Sequence, residues 1–187
     1  MTYDSESFWL SKGQTYRAKF RGGPSFAAQE KALIDYLSTL SFGSVLEVGC
    51  GFGRITRLVQ DAFGPERYVA FDLSSDQATA AQELVPEATI WQRSLFEADF
   101  GGFDLVLSVE VLMHIEPDRL PLAIDRLCSW GSDIVTVDWR VENPPASIAG
   151  HNFHHDYERI FARLGPTETT LIGNGQAIFH CKPRVTV

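Results

Sequence analysis

VLEVGCGFGRIT, residues 45–56, has the pattern of a buried strand that runs into a glycine-rich turn and then into a helix. Gly49, Gly51 and Gly53 alternate through the turn, and the acidic Glu47 lies inside the apolar run. At the carboxyl edge of a parallel sheet, such a junction presents free backbone N–H groups and the amino end of a helix, and glycines let a ligand come close. The stretch therefore predicts a ligand site.

Strand and helix patterns alternate along the rest of the chain. Apolar runs typical of buried parallel strands occur at 44–48, 68–72, 88–91, 103–109 and 134–137. Helical spacing of apolar residues predicts helices at 25–43, 54–62, 75–84, 117–127 and 156–164. Two further runs, 168–172 and 176–181, flank Gly173-Asn174-Gly175 and predict a tight hairpin. The predicted fold class is α/β: a Rossmann-like, doubly wound, seven-stranded sheet, mostly parallel with a C-terminal antiparallel hairpin.

The chain divides into an amino-terminal arm and one domain. Residues 1–24 carry aromatic side chains among charges and end in the breaker cluster Gly22-Gly23-Pro24, so we interpret them as an arm or lid. Ser25 is predicted to be the N-cap of the first core helix. Residues 25–187 are predicted to form a single domain, because 187 residues with 44% hydrophobic content can bury one good core.

Composition limits the location and the partners. No run of about eighteen apolar residues and no secretory pattern occur, so we expect a cytoplasmic protein that does not enter the membrane. The three cysteines, Cys50, Cys128 and Cys181, are far apart and form no CxxC pair, which argues against a disulfide framework or a structural zinc site.

The net charge of −8 argues against nucleic acid as a partner, because such binding usually needs a basic face. One local exception is the basic part of the arm, where Lys12, Arg17, Lys19 and Arg21 occur close together. The simplest interpretation of these four residues is a solvated amphipathic segment. They nevertheless keep a nucleic-acid substrate open as the third choice.

Residues at and beyond the end of the turn narrow the identity of the ligand. A dinucleotide fingerprint would require glycine at position 54, where this chain has Arg54, and the GK[ST] ending of a phosphate loop is absent. Asp72 ends the second predicted strand about twenty residues after the turn, from which a carboxylate can accept hydrogen bonds from both ribose hydroxyls. The sequence therefore predicts a nucleoside ligand.

Four features in order resemble one family. VLEVGCGFGRIT is similar to motif I of the class I S-adenosylmethionine-dependent methyltransferases, and YVAFDLS, residues 68–74, resembles their second motif. FDLVLSVEVLMHI, residues 103–115, is similar to their fourth-strand motif, and the terminal hairpin also matches. The resemblance covers about residues 30–182. It implies a methyltransferase with S-adenosyl-L-methionine as its cofactor.

The resemblance also implies contacts with that cofactor. The three glycines of the turn pass under its methionine and ribose parts, and Glu47 supports the turn or reaches the amino group through water. Asp72 holds the ribose, and Leu73 packs on the adenine. Where the family often has an acid for the adenine amino group, this chain has Ser94, a weaker acceptor. The expected contacts from the domain are Glu47, Gly49, Cys50, Gly51, Gly53, Asp72, Leu73, Ser94, Leu95 and Val109.

The arm adds three candidates for the same site. Several small-molecule methyltransferases carry a similar aromatic-rich amino-terminal segment that folds over the cofactor. By that resemblance Arg17 pairs with the cofactor carboxylate, and Trp9 or Tyr16 covers the methyl site. The alternative is that these residues simply pack on the core.

Two departures from known patterns restrict the reaction. Methylases of exocyclic DNA amines and of glutamine carry [ND]PP[YF] directly after the fourth strand, where this chain has Ser108-Val109-Glu110. Asn143-Pro144-Pro145 comes after the fifth strand and lacks the aromatic residue. Glu110, Asp138 and Asn143 match the acid cluster of metal-dependent catechol methylases only loosely, so we predict no metal.

Histidines are the candidate bases. A methyl acceptor loses a proton, and imidazole is suited to take it at neutral pH. His114 follows the fourth strand at the carboxyl edge, and His151 or His154 is expected to project into the acceptor pocket, with Tyr157 nearby. The competing interpretation of each is structural, as loop fixing or helix capping. His180, in the last strand, is most simply structural.

We therefore predict a methyltransferase that transfers a methyl group to an oxygen or nitrogen of a small-molecule acceptor. The alternatives are a protein or peptide methyltransferase and, from a different class, a non-catalytic regulatory subunit that binds S-adenosylmethionine. The chain is expected to act as a monomer or homodimer.

Overall fold

The computed structural model describes residues 3–19, 24–142, 150–173 and 175–184. Within the first two helices, the side chains of residues 14, 16–19, 24 and 25 lie outside this description.

Seven strands form one mixed sheet in the order β3-β2-β1-β4-β5-β7-β6. The strands β1 to β5 run parallel, and β7 pairs antiparallel with both β5 and β6. This topology confirms the predicted fold class, including the terminal hairpin. The strands are β1 (Ser44–Val48), β2 (Arg67–Asp72), β3 (Thr89–Gln92), β4 (Phe103–Val109), β5 (Gly131–Trp139), β6 (Thr167–Gly173) and β7 (Gln176–Cys181).

Six α-helices accompany the sheet in the described part of the chain. They are α1 (Ser5–Lys19), α2 (Pro24–Leu37), α3 (Arg54–Phe63), α4 (Ser75–Leu84), α5 (Leu120–Trp130) and α6 (Tyr157–Ala162). A short 3-10 turn, Leu112–His114, follows β4.

The core lies on both faces of the sheet. Leu105 and Leu107 of β4 belong to one apolar cluster with Leu33 of α2, while Val106 belongs to the other with Trp130 of α5. Successive side chains of a strand point to opposite faces, so a strand covered on both sides must be apolar throughout. This requirement explains why the continuous run 103–109 was a reliable strand signal.

Two helix starts differ from the prediction. Helix α2 begins at Pro24, so Ser25 lies inside the helix and not at its N-cap. Proline is favoured at the first helical position, because its fixed φ suits a helix and its missing N–H has no partner there. Helix α5 begins at Leu120 and not near Pro117, because the backbone at Glu116 first forms a turn that accepts the N–H groups of Arg119 and Leu120.

The amino-terminal arm contains a helix that no apolar stripe in the sequence indicates. Helix α1 lies against the domain through specific polar contacts: the Gln77 side chain donates to the Gly13 carbonyl at 2.6 Å, and Ser5 donates twice to Glu116. These partners lie far away in the sequence. Helix α1 therefore depends on tertiary contacts, in agreement with its low amphipathicity.

Candidate active site

An open cleft lies at the carboxyl ends of β1, β2 and β4. Ligands of open α/β sheets bind at this edge, where the crossover connections diverge. Helix α1 forms part of the opposite wall. The residues expected at the site that line the cleft are Trp9, Glu47, Gly49, Cys50, Gly51, Asp72, Leu73, Ser94, Leu95, Val109 and His114.

The glycine turn presents bare backbone to the cleft at Gly51. This residue has a φ of 54°, in the left-handed region, and a side chain added there would meet nothing within 4 Å. Space of this kind above a strand-to-helix turn suits a ligand that approaches the main chain closely. The donors that remain free nearby are backbone N–H groups at the start of α3.

Gly53 has a different role from the expected one. Its φ is 90°, and an added Cβ would lie 3.0 Å from the Cα of Ala81 in α4. Gly53 is not among the residues that line the cleft. Its missing side chain lets α3 start close to α4, so it shapes the turn from behind and does not face the ligand space.

Asp72 is held rigidly beside the turn. Its Oδ2 accepts the N–H of Gly51 and its Oδ1 accepts the N–H of Ser74, both at 2.9 Å. Burial raises the pKa of this carboxyl, and the backbone hydrogen bonds oppose that rise. Each carboxylate oxygen can accept more than one hydrogen bond. The side chain can therefore still receive two donors from a ligand, as a ribose diol requires.

Glu47 lies beneath the turn and is only 2% exposed. Its Oε2 accepts hydrogen bonds from Thr56 at 2.7 Å and from the Tyr68 hydroxyl at 2.8 Å. Burial raises the pKa of the carboxyl to about 7, although both hydrogen bonds and the charge of Arg54 lower it. Of the two expected roles, support of the turn is the one visible in these contacts.

Helix α1 lies along the cleft and provides Trp9 to its lining. The Trp9 ring packs on His114 with a centroid separation of 4.6 Å, and the Tyr3 hydroxyl donates to the His114 carbonyl at 3.0 Å. Tyr16 and Arg17 belong to α1, but their side chains lie outside the described residues, so their expected cofactor contacts stay predictions.

Glu6 also lines the cleft, although no sequence pattern indicated it. Its Oε1 accepts the Ser94 hydroxyl at 2.5 Å, and its Oε2 accepts from Arg119 at 2.9 Å. The separation of 88 residues between Glu6 and Ser94 explains why no local pattern revealed the pair. Ser94, expected as a weak acceptor after the third strand, thus has a carboxylate beside it.

A polar network borders the cleft at the end of β4. Glu110 has a φ of 57°, the single positive φ of a non-glycine residue in the described part of the chain. Its carboxylate accepts from Gln176 of β7 at 2.7 Å and lies 3.8 Å from the guanidinium of Arg54. Arg54 in turn stacks over Phe26 at 4.3 Å. Within the described ranges, no group of three or more His, Cys, Asp or Glu side chains is arranged to hold a metal ion.

His114 is the candidate base that lines the cleft. Its Nδ1 lies 3.1 Å from the His151 carbonyl, which can only accept, so Nδ1 carries the proton in the neutral ring. Burial lowers the pKa of His114 to about 4, with the carbonyl and Asn152 partly opposing that effect. The imidazole is therefore neutral at pH 7, and Nε2 is the nitrogen that the carbonyl does not hold.

The expected projection of His151 or His154 into the acceptor pocket stays a prediction, and the described structure gives it no support. Neither lines the cleft; the His151 ring stacks on Phe8 at 4.5 Å. The Phe153 N–H bonds to the Met113 carbonyl at 2.7 Å, and His155 Nε2 bonds to the Ile115 carbonyl at 3.0 Å. These bonds fix the loop along the 3-10 turn and give it a supporting role.

Two further aromatic residues lie away from the cleft. Tyr157, expected near the acceptor, is 1% exposed and packs between Phe161 and Phe179. His180 is buried between the Tyr36 hydroxyl at 2.8 Å and Asp133 at 2.6 Å, which agrees with its structural assignment.

The fold is similar to that of solved methyltransferase structures, and part of the chain matches a methyltransferase family model. A family model described as "Methyltransferase domain" matches residues 45–130, the part that carries the glycine turn, Asp72 and His114. None of the helices in the described residues combines the length and apolar character needed to cross a bilayer.

Two curated relatives each match about half of the chain. Tocopherol O-methyltransferase of Arabidopsis thaliana is 30% identical in an alignment of 105 residues that covers 51% of this chain and 30% of the relative. The 2-methyl-6-phytyl-1,4-hydroquinone methyltransferase of Synechocystis sp. is 32% identical in an alignment of 111 residues that covers 55% of this chain and 34% of the relative. The chain thus spans about a third of the length of the curated relatives it matches.

Solved structures match almost the whole chain. The DhpI–SAH complex superposes with a TM-score of 0.79 at 20% identity, covering 97% of this chain and 96% of that one. The N-methyltransferase NodS of Bradyrhizobium japonicum WM9 in complex with SAH gives a TM-score of 0.76 at 15% identity, with 96% and 99% covered. At these identities the likeness establishes the fold.

Proposed function

We propose that this chain is an S-adenosylmethionine-dependent methyltransferase that transfers a methyl group to an oxygen or nitrogen of a small-molecule acceptor. One observation carries the proposal. The cleft contains both a nucleoside-type site, formed by Gly51 and Asp72, and the buried neutral imidazole of His114. Helix α1, which carries Trp9, lies along the cleft.

The residues present fit the proposed cofactor. Gly51 leaves open space above the turn, and Asp72 has capacity for two hydroxyl donors. Leu73 and Leu95 provide apolar surface beside Asp72 for a purine ring. The fit rests on the donor set and the shape of the cleft.

The chain itself has to position the acceptor and to take up the proton that the acceptor loses. When bound, S-adenosylmethionine supplies a methyl group that is already activated on a sulfonium. The residues of the cleft hold the acceptor atom in line and exclude water. In the neutral ring Nε2 of His114 carries the lone pair, and it can accept the hydroxyl or amine proton of the acceptor. Trp9, packed on that ring, shields it from solvent.

The proposed acceptor is small and partly aromatic. The two curated relatives are named for a tocopherol and a phytyl hydroquinone, and the acceptor side of this cleft presents Trp9, Phe26 and Phe52 beside Val111. Aromatic side chains of this kind pack well on a ring. We also propose that α1 acts as the lid of the single domain, residues 25–187.

Turnover with a labelled cofactor tests the proposal. Purified protein is incubated with methyl-labelled S-adenosylmethionine and a cell metabolite extract, with an Asp72→Asn variant as the matched control. A labelled small product that the control does not form is expected. Tight binding of S-adenosylhomocysteine with no labelled product would instead favour the regulatory subunit, and label in protein would favour a peptide acceptor. The cytoplasmic location and the monomeric or homodimeric state stay predictions, tested by fractionation and light scattering.

A further inference from the structure

We propose that Glu6, carried by the amino-terminal helix α1, is the acidic residue that recognises the adenine amino group of the cofactor. This inference rests on the proposed function, because it assumes that S-adenosylmethionine binds in the cleft. In this proposal the acidic contact with the adenine comes from α1, outside the core domain, and not from the loop after β3.

The direction of the nucleoside in the cleft follows from the strand order. Asp72 ends β2, and β3 is its neighbour on the side away from β1 and β4. With the ribose at Asp72 and the reacting end near His114 after β4, the base must lie toward β3. The lining residues there are Leu73, Ser94, Leu95 and Phe96.

The glutamates that line the cleft differ in their distance from the expected position of the adenine. Glu47 is bonded to Thr56 and Tyr68 beneath the turn, and Glu110 lies beside Gln176 and Arg54 at the other end. Among the described residues that line the β3 end, Glu6 is the acidic one.

The carboxylate of Glu6 is oriented by two neighbours. Ser94 donates to Oε1, and Arg119, whose guanidinium stacks over Phe96 at 3.6 Å, donates to Oε2 at 2.9 Å. Each oxygen keeps capacity for a further donor. The side chain is 32% exposed, so part of its surface still faces open space in the cleft region. A carboxylate only accepts hydrogen bonds. It can therefore bind an exocyclic amino group, which donates, and not a purine edge that lacks a donor.

Because Glu6 belongs to α1, this contact links purine recognition to the docking of the helix. The same helix turn is anchored by Ser5, whose N–H and hydroxyl donate to Glu116 at 2.7 and 2.8 Å. A purine that bonds to Glu6 therefore stabilises the docked α1. In turn, a docked α1 completes the purine site, since binding effects of two coupled events are reciprocal.

Calorimetric binding of two ligands tests the assignment. The ligands are S-adenosylhomocysteine and its analogue with hydrogen in place of the 6-amino group on the purine. The native chain is expected to prefer the amino compound about tenfold, as for a hydrogen bond to a charged group. Glu6→Gln should bind the two ligands almost equally, because the charge is lost and its amide no longer offers two oxygens.

Two control variants separate recognition from helix docking. Arg119→Gln weakens the anchoring of α1 but keeps the acid, so both affinities should fall together and the preference should remain. Glu83→Gln, at an exposed position of α4, should change neither affinity. Circular dichroism confirms that each variant is folded. If Glu6→Gln keeps the full preference for the amino compound, the inference is wrong and the proposed function stands. If the native chain binds no S-adenosylhomocysteine, both the proposed function and the inference are wrong.

Discussion

Replacing Glu47 by glutamine is expected to make the protein more stable at alkaline pH. The buried carboxyl has a pKa of about 7, above its ordinary value of 4.5. Between these values the native state holds a proton that the unfolded state has released. The free energy of unfolding contributed by this group therefore falls as the pH rises through that window. Glutamine is close in shape and stays neutral, and its amide oxygen can accept the hydrogen bonds from Thr56 and Tyr68.

The magnitude follows from the pKa difference. Each pKa unit corresponds to about 1.4 kcal/mol at 25 °C. The rise from 4.5 to about 7 therefore amounts to about 3 kcal/mol. The variant and the native chain should have similar stability near pH 4.5, and the variant should be about 3 kcal/mol more stable near pH 8. This is a large fraction of the stability of a typical domain.

Urea unfolding at a series of pH values, followed by circular dichroism without added cofactor, measures this difference. Other titrating groups, His114 included, are shared by the two proteins and cancel in the comparison. Glu83→Gln, at an exposed position, is the control and should follow the native chain at every pH. A stability difference between Glu47→Gln and the native chain that does not change with pH would refute the assignment of a raised pKa.

Four further variants have expected outcomes. Asp72→Asn should weaken S-adenosylhomocysteine binding at least about tenfold in calorimetry, because one amide oxygen replaces two carboxylate acceptors; unchanged affinity would remove Asp72 from the ribose site. His114→Ala should lower kcat about a hundredfold. The native protein should stay active down to about pH 4, because burial lowers the pKa of His114 to about 4. A loss of native activity near pH 6.5 would contradict that lowered pKa. Gly51→Ala should destabilise the fold by about 1 kcal/mol, measured by urea unfolding, because alanine is strained at a φ of 54°, and it should weaken cofactor binding by filling the space above the turn. Gly53→Ala should mainly reduce stability, since its Cβ would press on Ala81; equal losses of affinity in both glycine variants would contradict the separate roles.

The central sheet was predictable because its signals are local. A strand covered on both faces must be apolar along its length, so β4 was predicted with the bounds that the structure shows. Helix α1 was not predictable as a helix, because its stability comes from contacts with Gln77 and Glu116, at sequence separations of 64 and 111 residues. Pattern-based prediction detects periodicity and gives no information on such distant partners.

The candidate site shows the same division. The glycine turn and Asp72 were found because a strand, a turn and the next strand fix their relative positions. Glu6 and the network around Glu110 join distant segments, and no spacing rule connects them. His151 and His154 were candidates because imidazole suits proton transfer at neutral pH, but the loop that carries them is bonded to the 3-10 turn by contacts that composition does not reveal.

The side chain of Glu110, whose backbone is left-handed, connects the terminal hairpin to the edge of the cleft. A non-glycine residue in this conformation costs about 1 kcal/mol, and glycine would relieve it. The glutamate side chain offsets that cost by its bond to Gln176 of β7 and its proximity to Arg54 of α3. The last strand of the chain is thereby tied to the loop that carries His114. Changes in the hairpin should therefore alter acceptor choice, although two strands, β4 and β5, lie between the hairpin and β1, which carries the glycine turn.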